Sequence, residues 1–178
     1  MQQTILALAA VLVFSLYALS RHGADASRER LAITAEVETA AVGIARERLH
    51  EITTRSYDEA DIGRDGARTS TVGLTSPSNF GRDTGESSEP SFDDIDDFHG
   101  RARPDTVRWN NRDLVFRDSV SVRYVVPETA APSSSATLAK EITVTVTAAR
   151  AGFIGTPEVA ARLRRIVTPT ADVSHSMS

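Results

Sequence analysis

Thr4-Ile5-Leu6-Ala7-Leu8-Ala9-Ala10-Val11-Leu12-Val13-Phe14-Ser15-Leu16-Tyr17-Ala18-Leu19 contains no charged residue, glycine or proline. At ~1.5 Å of rise per residue, a helix of this length covers roughly 24 Å. That is enough to cross a ~30 Å hydrocarbon layer when Ser20 and the flanks contribute or the bilayer thins. Three fates begin from such a run: a buried core helix, a cleaved secretory signal and a retained membrane anchor. A core helix usually keeps one polar face, whereas this one is apolar all round. A signal finds support in the small-residue pattern Ala24-Asp25-Ala26, but Met1-Gln2-Gln3 lacks the basic residue of a typical n-region.

The residues that follow favour the anchor, with Ile5, Leu8, Leu12 and Leu16 as its membrane and assembly positions. From Ser27 to Tyr57 there is no proline and no glycine except Gly43, and Ala, Glu, Arg and Leu dominate, so the helix is expected to run on. Ile33, Val37, Ala40, Ala41, Ile44, Leu49 and Ile52 recur at spacings of an amphipathic helix, while Arg28, Glu29, Arg30, Glu38, Arg46, Glu47, Arg48 and Glu51 fill other faces. Joined to residues 4–20, this stretch predicts a rod of about 50 residues, roughly 75 Å long.

The 178 residues suffice for one compact domain plus an appendage. A net charge of -4 with arginines dispersed among carboxylates gives no single-sign patch for nucleic acid. The absence of cysteine excludes a disulfide framework, a thiolate zinc site and a cysteine nucleophile. Of the twenty basic residues, Lys140 is the one lysine.

Periodicity disappears between Asp58 and Asp105, where glycines, Pro77 and Pro90 punctuate a Ser/Thr/Asp-rich stretch. So long a loop is expected to be pinned at its apolar cluster, Phe92-Asp93-Asp94-Ile95-Asp96-Asp97-Phe98-His99-Gly100. Strand signals begin at Val107-Arg108-Trp109 and strengthen in Leu114-Val115-Phe116 and in Val120-Ser121-Val122-Arg123-Tyr124-Val125-Val126. Alternation places Val120, Val122 and Tyr124 on one face and, after the turn-rich 130–135 segment, Ile142, Val144 and Val146 inward on a partner strand. Val159 to Thr168 reads as a further strand carrying Leu163 and Ile166, or as a helical turn at Ala160-Ala161-Arg162-Leu163. The expected class is α+β: a long N-terminal helix whose amphipathic half covers a small antiparallel sheet. The divisions are a hydrophobic span (1–26), an amphipathic helix (27–58), a long loop with an acidic turn (59–105), the sheet (106–170) and a frayed tail (171–178).

This order of elements is similar to that of type IV pilins and pseudopilins. The acidic segment resembles the Asp-Asp-aliphatic-Asp-Asp-aromatic-x-Gly segment of minor pilins of the mannose-sensitive haemagglutinin type. Val120-Ser121-Val122-Arg123-Tyr124-Val125 and Lys140-Glu141-Ile142-Thr143-Val144-Thr145-Val146-Thr147 resemble the two strands that follow it. The family's usual cleavage motif, glycine then Phe-Thr-Leu-x-Glu, is not found at Met1-Gln2-Gln3-Thr4-Ile5, which implies an unprocessed subunit or a start further upstream. The resemblance implies a non-enzymatic, single-pass subunit of a pilus or secretion-type assembly, in contact with the membrane and other pilin-like subunits. Its C-terminal domain would lie outside the cytoplasm. Arg21, Arg28 and Arg30 by themselves would place that domain inside; they alternate with acids along a helix, and the resemblance is followed. The alternative is a secreted or periplasmic binding module released by cleavage near Ala26.

No cofactor, catalytic group or small-molecule substrate is expected. His50-Glu51-Ile52-Thr53-Thr54-Arg55 begins like a zincin helix but offers no second histidine for a metal, and the other histidines, His22, His99 and His175, are scattered. Four carboxylates within five residues repel one another unless compensated. The sequence leaves three outcomes for Asp93, Asp94, Asp96 and Asp97: pairing with Arg101, Arg103 or Arg108 together with backbone N–H groups, a solvated loop, or a calcium site unlike an EF-hand. Phe92, Ile95 and Phe98, three apart, are expected to form a structural turn docked on the sheet.

Overall fold

The computed structural model describes residues 2–64, 66–109, 112–149 and 158–169, without the side chains of a few of these, Ile5 among them. The frayed tail expected at 171–178 lies outside the described residues. Among the described residues, one α-helix, α1 (Gln2–Thr53), is followed by four short 3-10 turns and four strands: β1 (Ala102–Trp109), β2 (Arg112–Tyr124), β3 (Lys140–Ala149) and β4 (Glu158–Val167). The chain is therefore α+β. It divides into two compact units, 1–39 and 40–178.

The described residues of the first unit are helical throughout and apolar at the start. Leu6, Leu8, Val11, Phe14 and Leu19 are each more than 60% exposed, and α1 is long and apolar enough to cross a membrane, with a mean hydropathy of 1.5 over its most apolar window. Ile33, expected on the packed face, is 39% exposed, and among the described side chains burial along the helix starts at Ala41.

The second unit contains the last turns of α1 and the sheet. Ala41, Ile44, Ala45, Arg48, Leu49 and Ile52 form its buried helical stripe, at the three- and four-residue steps that put side chains on one face. The strands run antiparallel in the order β1-β2-β3-β4. Val120 pairs with Val144 and Val122 with Ile142, in the register that the alternation predicts. On β2, Phe116, Asp118, Val120, Val122 and Tyr124 are buried; on β3, Lys140, Ile142, Val144, Val146 and Ala148 are. Every second residue thus faces the core, and intervening residues such as Arg117, Ser119 and Ser121 face water.

Two boundaries differ from expectation. β1 starts at Ala102, inside the stretch read as loop, and carries Pro104 opposite Arg117. An outer strand tolerates proline because one side of its ladder needs no donor. Leu114–Phe116 and Val120–Tyr124 belong to a single 13-residue strand. The final apolar segment is the further strand that the sequence suggested and not the alternative helical turn; its register with β3 slips at Val146/Thr147, and Leu163 is half-buried opposite Val144 while Ile166 is 45% exposed.

Candidate functional site

The parity that buries Ile142 also buries Lys140, and the parity of Val120 also buries Asp118. The helical stripe that buries Ile44 and Ile52 includes Arg48 at the intermediate step. Three charges therefore enter the core at positions dictated by their apolar neighbours, and each must find compensation there.

Lys140 is wholly buried. Its Nζ donates to the Tyr57 carbonyl at 2.6 Å and to Asp58 Oδ2 at 3.1 Å, and it contacts Asp96 Oδ1 directly. The rings of Tyr57, Phe80 and Tyr124 surround it, with centroids 4.6, 5.2 and 5.4 Å from Nζ. Asp58 is itself held: Thr75 donates its backbone N–H at 3.1–3.2 Å and its hydroxyl at 3.3 Å, and the Tyr124 hydroxyl approaches Oδ2 at 3.3 Å. Burial, reinforced by the Asp58 charge, raises the phenol pKa of both tyrosines, so they remain neutral donors.

The acidic segment folds as a reciprocal turn. Asp97 Oδ2 accepts from the backbone N–H groups of Asp93 and Asp94 at 3.2 and 3.1 Å, and Asp94 Oδ1 accepts from those of Asp96 and Asp97 at 2.8 and 3.1 Å. Asp94, Asp96 and Asp97 are buried and Asp93 is exposed. Asp94 and Asp97 accept the backbone N–H groups expected of them and Asp93 points outward, but for Asp96 the expectation is corrected: the cation that meets it is Lys140, brought from 44 residues away by the sheet. Nor do the four converge as one ligand set. Carboxylate oxygens of Glu86, Asp93 and Asp97 lie within 4.8 Å of one another, whereas Asp94 is turned to backbone donors and Asp96 to Lys140. Burial, then the Asp96 and Asp97 charges, push Asp94 up to about 8, and burial pushes Asp97 up to about 6. Asp96 is raised by the same desolvation, against the opposing pull of Lys140.

Phe92, Ile95 and Phe98 are all buried, with Phe92 and Phe98 edge to face at 5.1 Å between centroids. The remainder of the motif extends the sheet. Gly100, whose φ of 74° is a region that disfavours side chains, donates to the Val120 carbonyl at 3.0 Å, and His99 Nδ1 accepts the Val122 N–H at 3.1 Å. This histidine is thereby used structurally.

Arg48, placed by the sequence off the apolar stripe, is instead fully buried. It forms a fork with Glu89 at 2.7 and 2.9 Å, a contact with Glu51 at 2.8 Å and an ion pair with Asp118 on β2 at 3.0 Å, and its guanidinium lies 5.3 Å from the Phe98 ring centroid. Glu51, the carboxylate of the zincin-like stretch, is thus an arginine partner. The Arg48 contacts hold Glu89 below the usual carboxylate range. Asp118 moves the other way, because desolvation outweighs a contact lacking hydrogen-bond alignment.

Beside the end of α1, a cavity of about 450 Å³ is bordered by Arg55, Arg64, Arg68 and Arg165, with Asp61 the carboxylate among its described lining residues. Arg68 spends its charge on Asp61 at 2.7 Å and on the carbonyls of Ala60 and Val72. The cavity mouth therefore favours anions. No signal in the sequence marks it, because its arginines are far apart along the chain and carry no periodicity. Of the sequence-derived membrane positions, Leu8, Leu12 and Leu16 lie exposed on α1, and the side chain of Ile5 is outside those described. The chain matches no protein-family model, no curated protein and no solved structure.

Proposed function

We propose that this chain is a structural, pilin-like subunit held in the cytoplasmic membrane by its N-terminal helix, with the β-domain outside the cytoplasm as part of a type IV pilus or secretion-type assembly. One observation carries the proposal: Leu6, Leu8, Leu12, Phe14 and Leu16 are 59–72% exposed on a continuous helix. That much contiguous apolar surface is stable in hydrocarbon or against neighbouring helices and not in water. The buried ion pairs support a structural reading of the second unit, since its most chemically suggestive residues are spent on one another.

A second reading, a secreted or periplasmic binding module, is favoured by the unit boundary. Cleavage near Ala26 would precede the second compact unit, which begins at Ala40, and leave it intact. Alkaline carbonate extraction with mass spectrometry of the native N-terminus separates the two. The anchor predicts a pellet fraction retaining residues 4–20; a soluble protein starting near Ser27 would sink it. Assembly is tested by Leu12→Cys in this cysteine-free chain. Oxidation in native membranes is expected to yield linked subunits, and exclusively monomeric protein would remove the assembly part of the proposal.

A further inference from the structure

We propose that Lys140 and Asp96 condense to form an intramolecular isopeptide bond, with Asp58 as the proton relay. Lys140 Nζ is fully buried and in direct contact with the Asp96 carboxylate, and Asp58 Oδ2 stands 3.1 Å from the same nitrogen. Nucleophile, electrophile and relay come from three separate parts of the chain: β3, the acidic turn and the segment after α1. Folding therefore assembles them and replaces a bimolecular encounter by an intramolecular one, which, when the reacting atoms align for attack, is worth an effective concentration of about 10⁵–10⁸ M.

The surroundings favour dehydration. Three aromatic rings enclose the amine within 4.6–5.4 Å of their centroids and exclude the water that would reverse the reaction. An ammonium and a carboxylate are costly to desolvate, whereas one amide in their place carries no charge. Asp58 is oriented for transfer by Thr75 and Tyr124. Asp58 and Asp96 meet the Lys140 amine directly and Asp94 lies close enough to feel its charge, and burial raises both Asp94 and Asp96. The choice of cation also fits. Lys140 is the one lysine among twenty basic residues. A lysine amine can lose its proton and act as a nucleophile, and a guanidinium cannot.

The step balances without a co-reactant. Proton transfer within the pair gives a neutral amine and a carboxylic acid. The Nζ lone pair forms the bond to Asp96 Cγ. Asp58 accepts one Nζ proton and delivers it to the departing hydroxyl, which leaves as water when the C–O bond breaks. The product is a secondary amide whose remaining N–H faces the Tyr57 carbonyl, and Asp58 ends as the carboxylate it began as. The bond would tie the acidic turn covalently to β3.

The test is mass spectrometry of the denatured, full-length detergent-extracted protein, followed by tryptic mapping. The expected result is a mass one water below that of the sequence and a branched peptide joining 83–101 to 124–150 through an uncut Lys140. Lys140→Arg should restore the full mass, Asp58→Asn should leave a larger unreacted fraction, and Asp96→Asn should lose ammonia in place of water. Wild-type protein with both peptides linear overturns the proposal, and this readout needs no variant to fold. Water loss that persists in Lys140→Arg also overturns it, since dehydration would then lie elsewhere, as at Asp65-Gly66, a sequence prone to succinimide formation.

Discussion

Arg48→Met asks whether the arginine buried against β2 holds the second unit together. Its side chain is wholly inaccessible, and its partners differ in their access to water: the side chain of Glu51 is 32% exposed, that of Glu89 14% and that of Asp118 1%. When the guanidinium is removed, the two glutamates can turn outward, but Asp118 cannot. Breaking a buried pair from one side costs about 3–5 kcal/mol, because the remaining charge is stranded. Methionine retains the aliphatic packing over Phe98, so the loss reports the charge and not a cavity. Against a total stability of about 5–15 kcal/mol the effect is large. The assay is urea denaturation of a soluble fragment beginning at Ser27, followed by circular dichroism. Arg48→Met with Asp118→Leu should recover most of the loss, since apolar replacement of a whole buried pair is often neutral or better. A loss below about 1 kcal/mol for Arg48→Met would be the behaviour of an exposed pair and would refute the assignment.

Phe98→Ala should cost about 3–5 kcal/mol, because the ring is fully buried, edge-on to Phe92 and beneath the Arg48 guanidinium; a near-neutral result in the same urea assay would mean the acidic turn is not docked. The turn should also make stability fall with rising pH. Asp94, near 8 when folded and ~3.9 when unfolded, retains a proton in the folded state that the unfolded chain has released, so its contribution is complete below about 4 and is lost as pH rises through about 8. Asp97 acts in the same direction up to about 6. Unfolding free energies measured from pH 5 to 8 should therefore decline, and Asp94→Asn should flatten the decline; an unchanged slope in that variant would assign the dependence to another group.

The alternation in β2 and β3 was legible because a period of two leaves no freedom: once Val120, Val122 and Ile142 face inward, their pairing follows. The same parity already marked the buried charges. Asp118 lies two residues before Val120, Lys140 two before Ile142, and Arg48 midway between Ile44 and Ile52 on the helical stripe. What no local pattern revealed is their partners. Glu89 is 41 residues from Arg48, and Asp58 and Asp96 are 82 and 44 from Lys140. All lie in or beside a stretch without periodicity, where the chain is too poor in apolar residues to be held by burial alone. A polar loop can still be fixed if its carboxylates meet cations already committed to the core, since leaving either side unpaired is costly. Asp96, one of the aspartates whose compensation the sequence left open, and Asp58 are thus the counterparts of a charge at an inward position on the sheet. An isolated lysine or arginine in an otherwise apolar register identifies where a distant acidic loop is anchored, although the spacing alone does not say which loop.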